Sequence, residues 1–167
     1  MGQNSVFIIS DTHFFHKNII QYENRPFQDV EEMNDILIKN WNNIVKKNDK
    51  VFHLGDVSFS NKEKTKEIIC KLNGYKILIM GNHDKQHPVS WWKETGFNEV
   101  YKWPIIYCQW YIFSHEPVYL SETMPYINIH GHTHSKKIES ANNSFINVCI
   151  EQTQYKPILF KDLMRKL

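Results

Sequence analysis

Five short blocks of acids, amides and imidazoles recur along this chain. In order they are Asp11-Thr12-His13, Gly55-Asp56, Gly81-Asn82-His83-Asp84, a lone His115, and Gly131-His132-Thr133-His134. Carboxylate, amide and imidazole donors with no thiolate suit borderline cations such as manganese, iron, cobalt, nickel or zinc rather than calcium. Seven side chains (Asp11, His13, Asp56, Asn82, His115, His132 and His134) are too many for one tetrahedral zinc. They suit two divalent cations sharing a bridging carboxylate, about 3.5–4 Å apart, as in two-metal hydrolytic centres.

Each block follows a short apolar run, and the runs read as strands. Val6 to Ser10, Val51 to Leu54, Lys76 to Met80, Trp110 to Ser114, Ile127 to His130 and Phe145 to Ile150 are rich in Val, Ile, Leu and Phe. Such near-continuous runs mark strands covered on both faces. The carboxyl ends of strands are where open α/β sheets bind ligands. In extended backbone, residues two apart point to the same side, so Asp11 and His13, or His132 and His134, could both face one cluster. Gly55, Gly81 and Gly131 precede candidate ligands and permit sharp turns and close backbone approach. Amphipathic periodicity predicts a helix from Val30 to Val45, with Asp29 as its cap and Glu31 and Glu32 in its first turn. A second is predicted over Lys62 to Leu72, capped by Ser60 or Asn61, and a third over Pro88 to Thr95. Residues His16 to Gln28 read as irregular. The later strands lack long helices between them, so part of the sheet is expected to be antiparallel.

The length of 167 residues fits one domain, 1–167. The charge balance of +2 shows no concentrated basic stripe, so a nucleic-acid-binding role is not indicated. The short lysine clusters (Lys46, Lys47, Lys50; Lys62, Lys64, Lys66; Lys136, Lys137) read as solvated faces. Cys70, Cys108 and Cys149 are widely spaced among apolar residues and are expected to be buried free thiols of a reducing compartment. Met1-Gly2-Gln3-Asn4-Ser5 shows no secretory leader, and no apolar run is long enough for a membrane span; a cytoplasmic setting is the expectation.

Complete and in order from Asp11 to His134, these blocks resemble the signature of the calcineurin-like metallophosphoesterases. The opening Ser10-Asp11-Thr12-His13-Phe14-Phe15-His16, with Arg25-Pro26-Phe27 and Asn40-Trp41-Asn42, is similar to a small single-domain bacterial and phage branch. The resemblance implies an α/β fold: a β-sandwich of two mixed sheets flanked by helices, with the metal site at the carboxyl ends of the strands. It implies two divalent metal ions, manganese favoured among Mn, Fe, Ni, Co and Zn. Asp11, His13 and His134 would hold one, Asn82, His115 and His132 the other, and Asp56 would bridge. A metal-bridging hydroxide would attack phosphorus, and His83 matches the family's catalytic histidine, which serves the leaving group.

The protein phosphatases of that family read Gly-Asp-x-x-Asp-Arg-Gly, whereas here Gly55-Asp56 is followed by Val57-Ser58-Phe59-Ser60. Their histidine-orienting Asp and phosphate-binding Arg are missing, which argues against that branch and leaves the partner of His83 open; Asp84 is adjacent. His16, Asn18 and Arg25 read either as substrate contacts, with Arg25 forking onto phosphate oxygens, or as a salt-bridged surface loop. His53, His87 and His130 read as structural, and the aromatics from Trp91 to Phe113 as packing. The expected activity is hydrolysis of a phosphate ester, a phosphodiester first. The alternatives are a phosphomonoesterase, for which Arg25 would supply an extra cation, and a silent binding scaffold. Nucleic acid or nucleotide is expected only as substrate, and no protein partner or membrane is predicted.

Overall fold

Asp29 starts the longest helix as its spacing predicts. Its side chain accepts the Glu32 N–H at 2.8 Å, while the Glu32 carboxylate accepts the Gln28 N–H, so two otherwise unpaired donors are satisfied. In the computed structural model, which describes residues 4–136, 138 and 144–164, this helix, α2, spans Val30–Ile44. It follows α1 (Lys17–Tyr22), a short helix inside the segment expected to be irregular. Six residues are too few to show a helical period. Asn61 caps α3 (Lys62–Lys71), and Pro88 precedes α4 (Val89–Glu94). Met1 to Gln3 and Lys137, used in the sequence reading, lie outside the described residues.

The strands form two mixed sheets. The first has β1 (Val6–Ile9), β2 (Lys50–His53), β3 (Tyr75–Ile79) and β4 (Glu99–Tyr101) in the order β4-β3-β2-β1, all parallel. β9 (Ile158–Leu159) adds antiparallel beside β1. The second orders β5 (Ile105–Tyr107), β6 (Tyr111–Ser114), β7 (Ile127–His130) and β8 (Phe145–Asn147) as β5-β6-β7-β8. Only β5 is antiparallel there; β6, β7 and β8 run parallel. The chain then enters α5 (Phe160–Met164). None of the described helices is long and apolar enough to cross a membrane.

The period of two along β1 to β3 divides the core. Phe7, Ile9, Val51 and Leu78 face the helices, where they meet Met33, Leu37 and Trp41 of α2. Ile8, Phe52, Ile77 and Ile79 face the second sheet and meet Phe113 and Ile129. The first sheet is therefore covered on both sides, which accounts for its unbroken apolar runs. Each such buried side chain contributes on the order of 1.5–3 kcal/mol. Trp41 also donates its indole N–H to the Asn73 carbonyl, tying α2 to the turn before β3.

Two expectations need correction. Cys70 and Cys108 are exposed, and only Cys149 is buried. Cys70 lies on the outer face of α3 and Cys108 in the β5–β6 turn. The last strand also ends early. After Asn147 the chain leaves the second sheet, and Ser10 and Cys149 form a parallel bridge, with Ser10 N–H on Val148 O and Ile150 N–H on Ser10 O. The two sheets are thus stitched together at their carboxyl ends.

Candidate metal centre

The tips of β1 and β2 remain paired beyond the strands. Asp11 N–H donates to Gly55 O, His13 N–H to Asp56 O and Phe14 N–H to Val57 O. This pairing holds Asp11, His13 and Asp56 at positive φ (60°, 49° and 56°), and His132 and His134 share that conformation at 66° and 50°. The expectation of extended backbone in the two spaced pairs is therefore wrong. Their side chains converge because the backbone turns left-handed, at a cost on the order of 1–3 kcal/mol per residue. Close approach explains two glycines. A Cβ at Gly81 would run into the Asp56 carboxylate, and one at Gly131 into Ser10 Oγ and Asp11 Oδ2.

Each carboxylate spends one oxygen on anchoring and keeps the other free. Asp11 Oδ2 accepts the His132 N–H at 2.9 Å and the Cys149 thiol at 3.2 Å, while Oδ1 has no protein partner. Around Oδ1 stand His13 Nε2 at 3.6 Å and His134 Nε2 at 3.7 Å. Asp56 Oδ1 accepts the His83 N–H, and Oδ2 faces His13 Nε2 at 3.7 Å and His115 Nε2 at 3.5 Å. Asp56 thus lies between two groups of donors. In the second group His115 Nε2 is 2.8 Å from Asn82 Oδ1 and 3.2 Å from His132 Nδ1, which is itself 3.1 Å from Asn82 Oδ1. The seven residues named from the sequence therefore meet.

Their chemistry fits cations. His115 Nδ1 faces the Leu54 carbonyl at 2.8 Å; a carbonyl can only accept, so Nδ1 carries the hydrogen and Nε2 presents a lone pair. Both ring nitrogens of buried His13 lack a protein partner. Separations of 3.5–3.7 Å exceed hydrogen-bond reach, yet suit neighbouring donors on one ion with bonds of about 2.0–2.2 Å. Charge says the same. Burial opposes ionisation of Asp11, but the His13 ring, with His115 and His134, holds its carboxyl below the usual range. Burial, with Asp11 and Asp84 alongside, pushes Asp56 up to about 9. Burial lowers His13 to about 4. The cage by itself accommodates one carboxylate charge, and ionising both carboxylates calls for positive charge between them.

A layer behind these donors was not legible as such. His134 Nδ1 faces Glu151 Oε1 at 3.3 Å, and Glu151 is gripped by Arg25. Burial opposes protonation of His134, but Glu151 and Asp11, with Glu23, together outweigh it and raise the imidazole above its ordinary value. Arg25, a candidate phosphate contact, instead has a fully buried guanidinium directed at Glu151 and at the carbonyls of Asp11 and Thr12. Glu151 follows directly on the predicted strand Phe145 to Ile150, so the strand-tip pattern that marked the other residues also marks it.

Asp84 does not serve His83. It is buried and accepts N–H bonds from Asp56 and Gly81 at 2.8 Å and from Val57 at 3.1 Å, bracing the loops. Burial outweighs those bonds and lifts its carboxyl to about 6. His83 has a side chain 43% exposed, with Nε2 3.9 Å from Asp56 Oδ2. Its ring packs on Phe59, centroids 4.8 Å apart, and Phe59 also stacks on His16 at 4.1 Å. Asn18 is exposed on α1. His53 accepts the Gly55 N–H at Nδ1, so its Nε2–H donates to the Thr12 hydroxyl, which passes its own hydrogen to Val57 O. Burial keeps it neutral, with a pKa near 3. His130 is buried against the Gly131 carbonyl, and His87 stacks on Trp91.

The family profile of calcineurin-like phosphoesterases matches residues 5–162. The chain belongs to this family. As a calcineurin-like phosphoesterase it shares the family's metal-dependent hydrolysis of phosphate esters as its general chemistry, and its clustered acids and histidines are groups able to hold divalent metal. It is 40% identical over 178 aligned positions to an uncharacterised protein of Methanocaldococcus jannaschii, covering all of this chain and 93% of that protein. It is 32% identical over 137 positions to the gene 66 protein of Mycobacterium phage L5, covering 78% of this chain and 60% of the phage protein. The crystal structure of a protein of unknown function from Aquifex aeolicus superposes with a TM-score of 0.77 at 29% identity, covering 99% of this chain and all of the other. Within the family's second block, Phe59 stands where the protein phosphatases carry their histidine-orienting Asp, and its ring is the neighbour His83 has instead.

Proposed function

We propose that this calcineurin-like phosphoesterase hydrolyses phosphodiesters at a two-cation centre. The observation that carries the reading is the convergence of donors on either side of Asp56 Oδ2, with Asp11 Oδ1 and both His13 ring nitrogens buried and unpartnered. Asp11, His13 and His134 would hold one cation and Asn82, His115 and His132 the other, with Asp56 shared. Manganese suits a set of carboxylate, amide and imidazole without thiolate. When bound, the cations supply Lewis acidity that activates water and draws charge from the phosphoryl oxygens. His83, exposed beside Asp56, hands a proton to the departing oxygen, while its backbone N–H fixes the Asp56 carboxylate. His16, stacked on Phe59 beside His83, and Asn18, exposed on α1, would contact the substrate.

The preference for diesters follows from Arg25. A monoester carries more negative charge and wants an additional cation, but this guanidinium is buried and committed to Glu151 and two carbonyls. The free thiols Cys70 and Cys108 suit a reducing, cytoplasmic setting. Hydrolysis of a bis-aryl and a mono-aryl phosphate by manganese-loaded protein, with metal-stripped protein as control, tests the reading. Faster turnover of the bis-aryl ester is expected. Preference for the mono-aryl ester would favour a phosphomonoesterase, and no turnover of either would favour a silent scaffold.

A further inference from the structure

We infer that Arg25 and Glu151 are a positioning pair for one half of the centre: a single buried guanidinium sets the geometry of Asp11, His13 and His134 and makes no direct bond to Asn82, His115 or His132. The inference rests on the two-cation reading above.

The bonds of Arg25 are unusually concentrated. Nε and Nη2 both reach Glu151 Oε1, at 2.9 and 2.7 Å, across 126 positions of sequence. Nη2 also donates to the Asp11 carbonyl at 2.9 Å, and Nη1 to the Thr12 carbonyl at 3.0 Å. These two carbonyls bracket the turn that carries Asp11 and His13, both at positive φ. The same Glu151 oxygen receives His134 Nδ1 and so directs Nε2 toward Asp11 Oδ1. One planar fork therefore fixes the left-handed turn and, through Glu151, the rotation of the imidazole opposite it. A buried guanidinium is kept only where its donors are matched, and these are matched to groups that present one half of the donor set.

The other half is braced differently. His115 is fixed by the Leu54 carbonyl, and Asp56 by the His83 N–H and, through its own N–H, by Asp84. No bond of Arg25 or Glu151 reaches Asn82, His115 or His132 among the described residues. Asp11 Oδ2 on the His132 N–H is the one tie across, and it runs to the backbone rather than to a donor atom, so loss of the pair should act chiefly on one cation. Removing such a bracing partner from a metal-binding histidine typically costs 10–100-fold in affinity.

The test is a manganese titration of metal-stripped wild type, Glu151→Gln and Arg25→Lys, followed by electron paramagnetic resonance, with His134→Ala as comparator. Wild type is expected to take two ions and give the signal of an exchange-coupled pair. Both variants should keep one ion within about twofold of wild-type affinity and bind the other 10–100-fold more weakly, so that isolated Mn(II) replaces the coupled signal at the same loading. Arg25→Lys keeps the charge but cannot fork, so it should not rescue the geometry. Two sites of wild-type affinity in Glu151→Gln, or two equally weakened sites, would overturn the inference. If circular dichroism shows that one variant does not fold, the other is read by the same criteria; loss of fold in both overturns a positioning role in favour of a purely structural one. Wild type that takes up no manganese would sink the two-cation reading itself, a different failure.

Discussion

The two halves of the candidate centre share Asp56 and are tied once more where Asp11 Oδ2 accepts the His132 N–H, yet their supports differ. The half built on Asp11 and His13 is buried and backed by side chains far apart in sequence, Arg25, Cys149 and Glu151. The half built on Asn82, His115 and His132 is braced through the backbone, and Asn82 and His132 are exposed. A preformed buried cage would keep an ion, because its geometry is set before the ion arrives. An open half with one anchored imidazole would let an ion, or a substrate oxygen, come and go. Two donor sets of similar composition thus differ in what holds them still.

Substitutions can break this comparison. The largest effect is expected for Asp56→Asn, which touches both halves: metal analysis should find both cations depleted, and turnover should fall by about three orders of magnitude or more. His83→Ala should cost about a hundredfold or more in turnover with cation content unchanged, as befits a proton donor. Loss of cations in that variant would move His83 into the centre's framework. Asn82→Ala should empty only the open half, leaving about one cation per chain by elemental analysis. Loss of both would show that the halves depend on each other.

The smallest effect concerns protons. Without cations Asp56 titrates near 9, above its unfolded value, so its contribution to stability is present at low pH and is lost as pH rises through about 9. Cation binding needs the carboxylate, so uptake at pH 7 should release about one proton from Asp56, plus a fraction from His134, whose imidazole is held above its ordinary value. His13, lowered to about 4, is already neutral and adds none. Calorimetry in two buffers of different ionisation enthalpy measures this number, and apparent affinity should climb with pH until about 9. A release near zero at pH 7 would mean that Asp56 is ionised in the metal-free protein.

Much of this arrangement could be read from the chain. Helix α2 was legible because Met33, Leu37 and Trp41 recur at helical spacing behind an Asp29 cap. The convergence of the seven polar residues was legible because each follows an apolar run, and strands in open sheets present their tips on one edge. What escaped the reading lacked a local pattern. Helix α1 is too short to show a period, and β5 and β9 are edge strands of three and two residues. The left-handed turns at Asp11 and His13 leave no glycine to announce them. Asp84 reads as part of a metal motif, yet its carboxylate collects backbone N–H groups. Arg25 looks like a phosphate fork until burial shows where the fork points.

The stitch between Ser10 and Cys149 gives the centre a mechanical meaning. Asp11, His13, Asp56 and Asn82 extend from the first sheet, and His115, His132 and His134 from the second. An ion held by donors from both layers acts as a rivet through the sandwich, and its binding free energy becomes cohesion between the layers. Amide exchange along the seam at Ser10 and Ile150 should accordingly slow when the protein is loaded, while the far end of the sandwich exchanges as before.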